Sequence, residues 1–212
     1  MSFIKKLFGN EEKQRAVTHV KDLQLNDMIA MSDSFGLPSV LRDQQFQVTA
    51  INCYEFEHRT QTEWVLTGQS DVELYLSLEA DDKTYLKFSL KIADNDVETL
   101  FDLDQFSTVF DEPGQAQLER QQDSTLSLDW SDSQYQQQAF AQVGYFHRKD
   151  NRVSNLSQYE GSDSGEQFEL YTLYNQDEDK GIDIEVWQDG DTDVFLTLFR
   201  PVTDIVDMYP GS

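Results

Sequence analysis

The sequence predicts a mainly β fold of the α+β class, made of two similar antiparallel β-meander halves that each end in a short helix. Apolar and polar residues alternate along several runs between residues 45 and 92, which is typical of strands with one buried face. The pattern of residues 74–101 recurs 108 positions later, without a gap, in residues 182–209. Nine apolar positions agree, and the turn residues Asp81 and Asp189 match. We therefore expect a strand, a turn, a second strand and a short helix in each copy.

The first ten residues differ from the rest of the chain because they are locally basic and apolar. Four apolar residues have helical spacing beside two lysines, and these six residues are Phe3, Ile4, Lys5, Lys6, Leu7 and Phe8. We expect a short helix that docks on a partner or makes weak contact with a membrane surface. The alternatives are an ordinary helix folded onto the body or a frayed tail. Residues 1–21 form the predicted N-terminal segment and linker.

The first β-rich half is predicted to span residues 22–114. Its expected elements are a strand at 25–31, a loop at 32–39, strands at 45–57, around Trp64, at 72–79 and at 84–92, and then a helix. The alternation changes phase near Ile51, which predicts a β-bulge. Asp96 is placed to cap a helix that starts at Val97. The apolar face that follows ends at Pro113 and Gly114.

The second β-rich half is predicted to span residues 126–212, after a polar, glutamine-rich linker or exposed helix at 115–125. Residues 139–145 are apolar at most positions, so either a strand buried on both faces or a helix fits them. Residues 149–166 form a long polar loop. The second copy of the repeated unit then closes the chain, and the two halves can pack as one domain.

The net charge of the chain favours some classes of binding partner and disfavours others. The chain has 40 acidic and 16 basic residues and a net charge of −24. Nucleic acids and anionic lipid surfaces attract basic proteins, so we expect no nucleic-acid binding and only a weak peripheral membrane contact, through the N-terminus. Basic protein surfaces, polyamines and divalent metals are the favoured partners. The alternative is that the charge serves only colloidal stability. With no signal-peptide pattern and no run of about 20 apolar residues, we expect a cytoplasmic location.

Sequence motifs for catalysis, cofactors and metals are not found. Residues 189–193 alternate carboxylates as a calcium loop does, but the sixth and twelfth loop positions are Val194 and Arg200. A turn explains these residues, so we expect no metal site and no cofactor. The single cysteine, Cys53, lies in an apolar run and is predicted to be a buried, inert thiol. Nothing in the sequence brings His58 or His147 to it.

Aromatic residues on the predicted strands are the best candidates for a binding surface. An aromatic face with carboxylates at its rim suits cations, through cation–π and Coulomb attraction. The alternative is burial of these rings against the other half or a covering helix. We expect any binding site at the seam between the two copies. The candidate residues for binding a cation or a partner are Trp64, Tyr75, Tyr85, Tyr171, Trp187, Asp189 and Asp191.

A family resemblance covers roughly residues 22–101. Its pattern is Leu25-x-Asp27, Phe46-x-Val48, Trp64-x-Leu66 and the strand at 74–79. With this pattern the chain resembles a bacterial family of small β-rich domains of unknown function. Their genes lie near phage-shock-protein-A-like and spermidine-synthase-like genes. The resemblance implies a cytoplasmic accessory protein linked to membrane stress or polyamine handling, and it supplies no catalytic residues.

The function predicted from these observations is a non-enzymatic, acidic, cytoplasmic binding protein that engages a basic protein partner, near the inner membrane. A polyamine- or cation-binding protein is the first alternative. An enzyme that uses paired carboxylates is the second alternative, because 40 acidic residues will place some pairs face to face.

Overall fold

A computed structural model describes residues 15–70, 72–80, 82–122, 124–152 and 165–211. It confirms a mainly β fold, with one antiparallel sheet of 11 strands and a few short helices. The strands are β1 (Met28–Met31), β2 (Gln45–Phe56), β3 (Arg59–Thr67), β4 (Glu73–Ala80), β5 (Thr84–Ile92), β6 (Gln117–Glu119), β7 (Gln134–His147), β8 (Glu166–Tyr174), β9 (Lys180–Trp187), β10 (Thr192–Pro201) and β11 (Ile205–Tyr209). The α-helices are α1 (Asp94–Leu100), α2 (Leu103–Ser107) and α3 (Thr125–Trp130), with 3-10 turns at Val20–Asp22, Thr108–Phe110 and Val202–Asp204.

The sheet closes on itself. The strand order is β11-β1-β2-β3-β4-β5-β10-β9-β8-β7-β6, and β2 also pairs with β7. This additional ladder joins residues 53–56 of β2 to residues 144–147 of β7. Eight strands, β2–β5 and β7–β10, therefore form a ring that contains strands of both predicted halves. Away from this ladder, β2 pairs with β1 and β7 pairs with β6.

One face of the ring strands is apolar because every second side chain is aliphatic or aromatic. Residues on this face that are almost fully buried are Trp64, Leu66, Leu74, Leu76, Leu86, Phe88, Ile182, Ile184, Leu196 and Leu198. They share one core with residues of the helices and connecting segments, among them Leu23, Val97, Leu100 and Trp130. The Trp64 indole N–H donates to the Leu23 carbonyl at 3.2 Å, which fixes the chain around Leu23 on this face. Burial of each large apolar side chain contributes about 1.5–3 kcal/mol, so this core dominates the stability of the fold.

The other face of the same strands is concave and polar. Lys87 on β5 contacts Asp183 on β9, although β10 lies between these two strands. Glu63 on β3 and Glu185 on β9, which lie on opposite sides of the ring, also line one small cavity on this face. This face therefore lines the inside of the ring.

Several details of the sequence prediction are confirmed. The predicted strand at 25–31 is β1, and the bulge expected near Ile51 is a register shift between Val48 and Ala50. Residues 139–145, for which a strand and a helix both fitted, belong to strand β7. The predicted helix start was wrong: helix α1 starts at Asp94 with Ala93 as its N-cap, so Asp96 lies inside the first turn and does not precede the helix. From there its carboxylate accepts a hydrogen bond from the Ala93 N–H at 3.2 Å.

Two connections differ from the expectation. The segment at 115–125 contains the short strand β6, because Leu118 is buried in the core and its neighbours pair with β7. The second half ends in a 3-10 turn followed by strand β11, where a short helix was expected. The edge of β1 is available to this last segment, and β11 pairs with it in antiparallel fashion.

The two hairpins that the 108-residue shift aligns are direct neighbours in the sheet, because β5 pairs with β10. Their internal registers differ. Leu76 pairs with Phe88 in the first hairpin, whereas Ile184, which aligns with Leu76, pairs with Val194 in the second. The residue-by-residue repeat therefore stays a prediction, and its turn residue Asp81 lies outside the described residues.

None of the helices in the described part of the chain has the length and the apolar sequence needed to cross a bilayer.

Candidate functional site

The inside of the ring holds a small cavity of about 40 Å³, lined by residues of both halves. Its charged and hydrogen-bonding residues include Tyr54 on β2, Glu63 on β3, Lys87 on β5, and Asp183 and Glu185 on β9. The alternation of the strands explains why they meet here, because each lies beside a core residue of the opposite face. Strands of both predicted halves thus line the cavity.

Lys87 and Asp183 form a buried ion pair with an N–O distance of 2.5 Å. The second carboxylate oxygen of Asp183 accepts a hydrogen bond from the Thr172 hydroxyl at 2.9 Å. Although burial lowers the pKa of Lys87, the adjacent Asp183 carboxylate raises it overall, so the amine stays charged. The charge of Lys87 is therefore balanced by Asp183.

Glu63 and Glu185 face the same cavity. Burial raises the pKa of Glu63 to about 7, against a partial lowering by the Asn52 amide, which donates to its Oε1 at 2.9 Å. Burial also raises the pKa of Glu185 well above its usual range, and the negative charge of Glu63 adds to the effect. The Tyr54 hydroxyl interacts with both carboxyl groups. Near neutral pH, the cavity therefore holds protons that solvent-exposed carboxylates would release.

A wider groove of about 740 Å³ lies on the surface where strands β9 and β10 are joined. We call it the Trp187 groove, and its residues are Lys91, Arg148, Glu166, Gln167, Trp187, Gln188, Asp189, Asp191 and Asp193. The Trp187 indole N–H donates to Asp193 Oδ2 at 3.2 Å, which orients the ring. The other oxygen of Asp193 lies 2.6 Å from the Lys91 amine.

The groove carries an excess of negative charge that its own cations do not balance. Arg148 pairs with Glu166 at 3.2 Å, and Lys91 pairs with Asp193. Asp189 and Asp191 are exposed, and neither forms an ion pair with any described residue. Their carboxylates therefore stay available to an incoming cation.

The structure places the predicted binding residues in four different locations. Trp187, Asp189 and Asp191 come together in the Trp187 groove. Tyr75 lies on the polar face, with its hydroxyl 2.6 Å from Glu73 Oε1 and its ring edge-on to Phe195. Tyr85 is exposed near the start of β5.

Trp64 and Tyr171 lie on the apolar face. Both are buried, and Tyr171 makes edge-to-face contacts with Phe110 and Phe140. The Trp64 ring already has a cation over it, because the Arg152 guanidinium lies 5.4 Å from the ring centre. The candidate docking residues Phe3, Ile4, Lys5, Lys6, Leu7 and Phe8 lie outside the described residues.

The sequence reasoning did not single out Glu63, Lys87, Asp183 and Glu185. The sequence carries no signal that separates them from surface residues, because a strand with one solvated face shows the same alternation of charged and apolar residues.

Cys53 is buried, as predicted. Residue His147 is its partner in the β2–β7 ladder, a proximity that the sequence did not indicate. The His147 Nε2 atom lies 3.0 Å from Glu55 Oε2, and both side chains are buried. Burial raises the pKa of Cys53, so the sulfur stays a protonated thiol, which is a poor nucleophile.

Over the described ranges, no group of three or more His, Cys, Asp and Glu side chains is arranged to hold a metal ion. Comparison with known proteins gives no further indication, since no family model, curated protein or solved structure matches the chain.

Proposed function

We propose that this protein is a non-enzymatic cytoplasmic binding module that takes basic side chains of a partner protein into the Trp187 groove. One observation carries the proposal: the exposed carboxylates of Asp189 and Asp191 lie beside a half-buried indole and have no cationic partner among the described residues. A Lys or Arg side chain entering the groove gains Coulomb attraction from both carboxylates. It also gains about 0.5–1 kcal/mol from a cation–π contact at an exposed ring.

The size of the groove and the net charge of the chain support this ligand class. A volume of about 740 Å³ accommodates several side chains of a partner segment. The net charge of −24 adds a long-range attraction that speeds the encounter with basic surfaces and weakens as salt is added. Both effects favour a basic macromolecule over a neutral ligand.

Binding is a better proposal than catalysis for the carboxyl pair inside the ring. Glu63 and Glu185 have raised pKa values, as general acids often have. The cavity beside them measures only about 40 Å³, which is too small for a sugar ring or a peptide group with its reaction partner. The cavity therefore suits a small bound group.

The experiment is a titration of the intact protein against a fluorescein-labelled peptide of alternating lysine and alanine, followed by fluorescence anisotropy at physiological salt. We expect the double variant D189N/D191N to bind about tenfold more weakly, as the loss of two charge contacts implies. The double variant E98Q/D104N is the matched control, because it removes two exposed carboxylates far from the groove in sequence, on helices α1 and α2. Equal affinities of the two double variants would overturn the proposal.

A further inference from the structure

The cavity inside the ring has more carboxyl groups than cations. Its lining contains Glu63, Asp183 and Glu185 but only one basic residue, Lys87. Lys87 is already engaged by Asp183 at 2.5 Å. Two glutamates therefore face the cavity without a basic side chain of their own, a costly arrangement for buried carboxylates.

Glu185 carries the independent sign of a missing ligand. Its side chain is 5% exposed, and its Oε2 atom has no hydrogen-bond partner in the described parts of the chain. An unpaired buried acceptor destabilises the fold, and does so more strongly when it is charged. The carboxyl group lines the cavity, so a donor placed there would remove that cost.

The walls of the cavity favour a small organic cation. Tyr54, Phe56 and Phe195 line it together with the two glutamates, and aromatic rings stabilise an ammonium group by cation–π attraction. A volume of about 40 Å³ holds about three water-sized groups, since one such group needs about 10–15 Å³ on the same measure. A nitrogen with two carbons fills that space, whereas a guanidinium or a tetramethylammonium ion is too bulky.

We propose that the ring interior binds the terminal ammonium group of a primary alkylamine, with Glu185 and Glu63 accepting its N–H bonds. The site is separate from the Trp187 groove and does not depend on the proposed function. Binding replaces a proton that the carboxyl pair holds. The carboxyl O–H bond breaks, the proton goes to the buffer, and the ligand's positive charge takes its place.

The test is a thermal unfolding series of the intact protein at about pH 8 with ethylammonium chloride. The comparison salts, at equal ionic strength, are sodium chloride, potassium chloride and tetramethylammonium chloride. We expect the melting temperature to rise with ethylammonium concentration, beyond the effect of the other three salts. In the Glu185→Gln variant the ethylammonium effect should disappear, while Asp191→Asn, a groove variant, should retain it.

Proton release provides a second readout that does not depend on a variant. Calorimetric titration near pH 7, in two buffers of different ionisation enthalpy, should show about one proton released per ethylammonium bound. Surface binding would release none. The proposal is overturned if ethylammonium acts like sodium or potassium, if Glu185→Gln responds as the natural protein does, or if no proton is released. The D189N/D191N variant keeps the ethylammonium response if the two sites are separate, so the failure of either proposal can be recognised.

Discussion

The amine of Lys87 lies 2.5 Å from a carboxylate oxygen of Asp183, and both side chains are about nine-tenths buried inside the ring. Strand β10 separates the strands of these two residues, so their contact links the two halves across the concave face. A buried ion pair of this kind affects the stability of the fold mainly when one member is removed, because the remaining charge is then buried without a partner.

Replacement of Lys87 by Met is therefore expected to lower the free energy of unfolding by about 3–5 kcal/mol. The matched control is Lys91→Met on the same strand. Its partner Asp193 is 2.6 Å away, but the Lys91 side chain is about half exposed, so a loss of about 0–1 kcal/mol is expected. Urea denaturation of the three proteins measures the difference. Similar losses in both variants would contradict the buried role of the Lys87–Asp183 pair.

Stability should fall as the pH rises from about 5 to 8, partly because of Glu63. Burial raises the pKa of this carboxyl from 4.5 to about 7, so the folded chain binds its proton more tightly than the unfolded chain. Such a group destabilises the fold as it is forced to ionise, by about 2–3 kcal/mol over this range. In Glu63→Gln this part of the decline should be absent. Urea midpoints of both proteins at several pH values test it, and parallel curves would count against the raised pKa.

Asp27 should prove to be a structural carboxylate. It is buried, it contacts Arg15, and it accepts hydrogen bonds from the N–H groups of Gln24 at 2.7 Å and Gly211 at 2.8 Å. Asp27→Ala leaves these donors without an acceptor, and we expect a loss of about 3 kcal/mol in urea denaturation. The exposed Asp33, in a 3.9 Å pair with Arg42, is the control, and Asp33→Ala should change stability by less than about 0.5 kcal/mol. A comparable loss in the control would refute the assignment.

Cys53 should react slowly with thiol reagents in the native protein. Its side chain is buried and burial raises its pKa, so little thiolate is present and it is poorly accessible. Colorimetric titration with a disulfide reagent at about pH 8 should show a fast, complete reaction only after unfolding in guanidinium. Fast reaction in the native protein would show an activated thiol beside His147.

The mainly β class, the strand at β1 and the bulge in β2 followed from the sequence because each depends on local alternation and turn chemistry. The closure of the ring did not, because the ladder between Cys53 and His147 joins residues far apart in the chain. The cavity exists only because the ring closes, so it did not follow from the sequence either. Glu63 and Glu185 look like ordinary surface acids in sequence, and only the curvature of the sheet turns them inward.

The Trp187 groove was partly predictable because several of its residues lie close together in the sequence. Trp187, Asp189 and Asp191 are close in sequence and share one hairpin, which brings them together in the groove, whereas the other four candidate residues lie elsewhere. Trp64 and Tyr171 share the aromatic character of Trp187 and also lie on predicted strands. Alternation alone does not indicate which face of the sheet is covered by other elements. In the structure these two rings lie in the apolar core.

The most direct test of the central claim uses the three indole N–H resonances of the ¹⁵N-labelled protein during titration with the lysine–alanine peptide. Trp64 and Trp130 are buried in the apolar core, whereas Trp187 lies in the groove. We expect the Trp187 resonance, assigned with Trp187→Phe, to shift and saturate while the other two stay in place. A titration in which the peptide binds without moving the Trp187 resonance, or moves all three equally, would contradict the proposal.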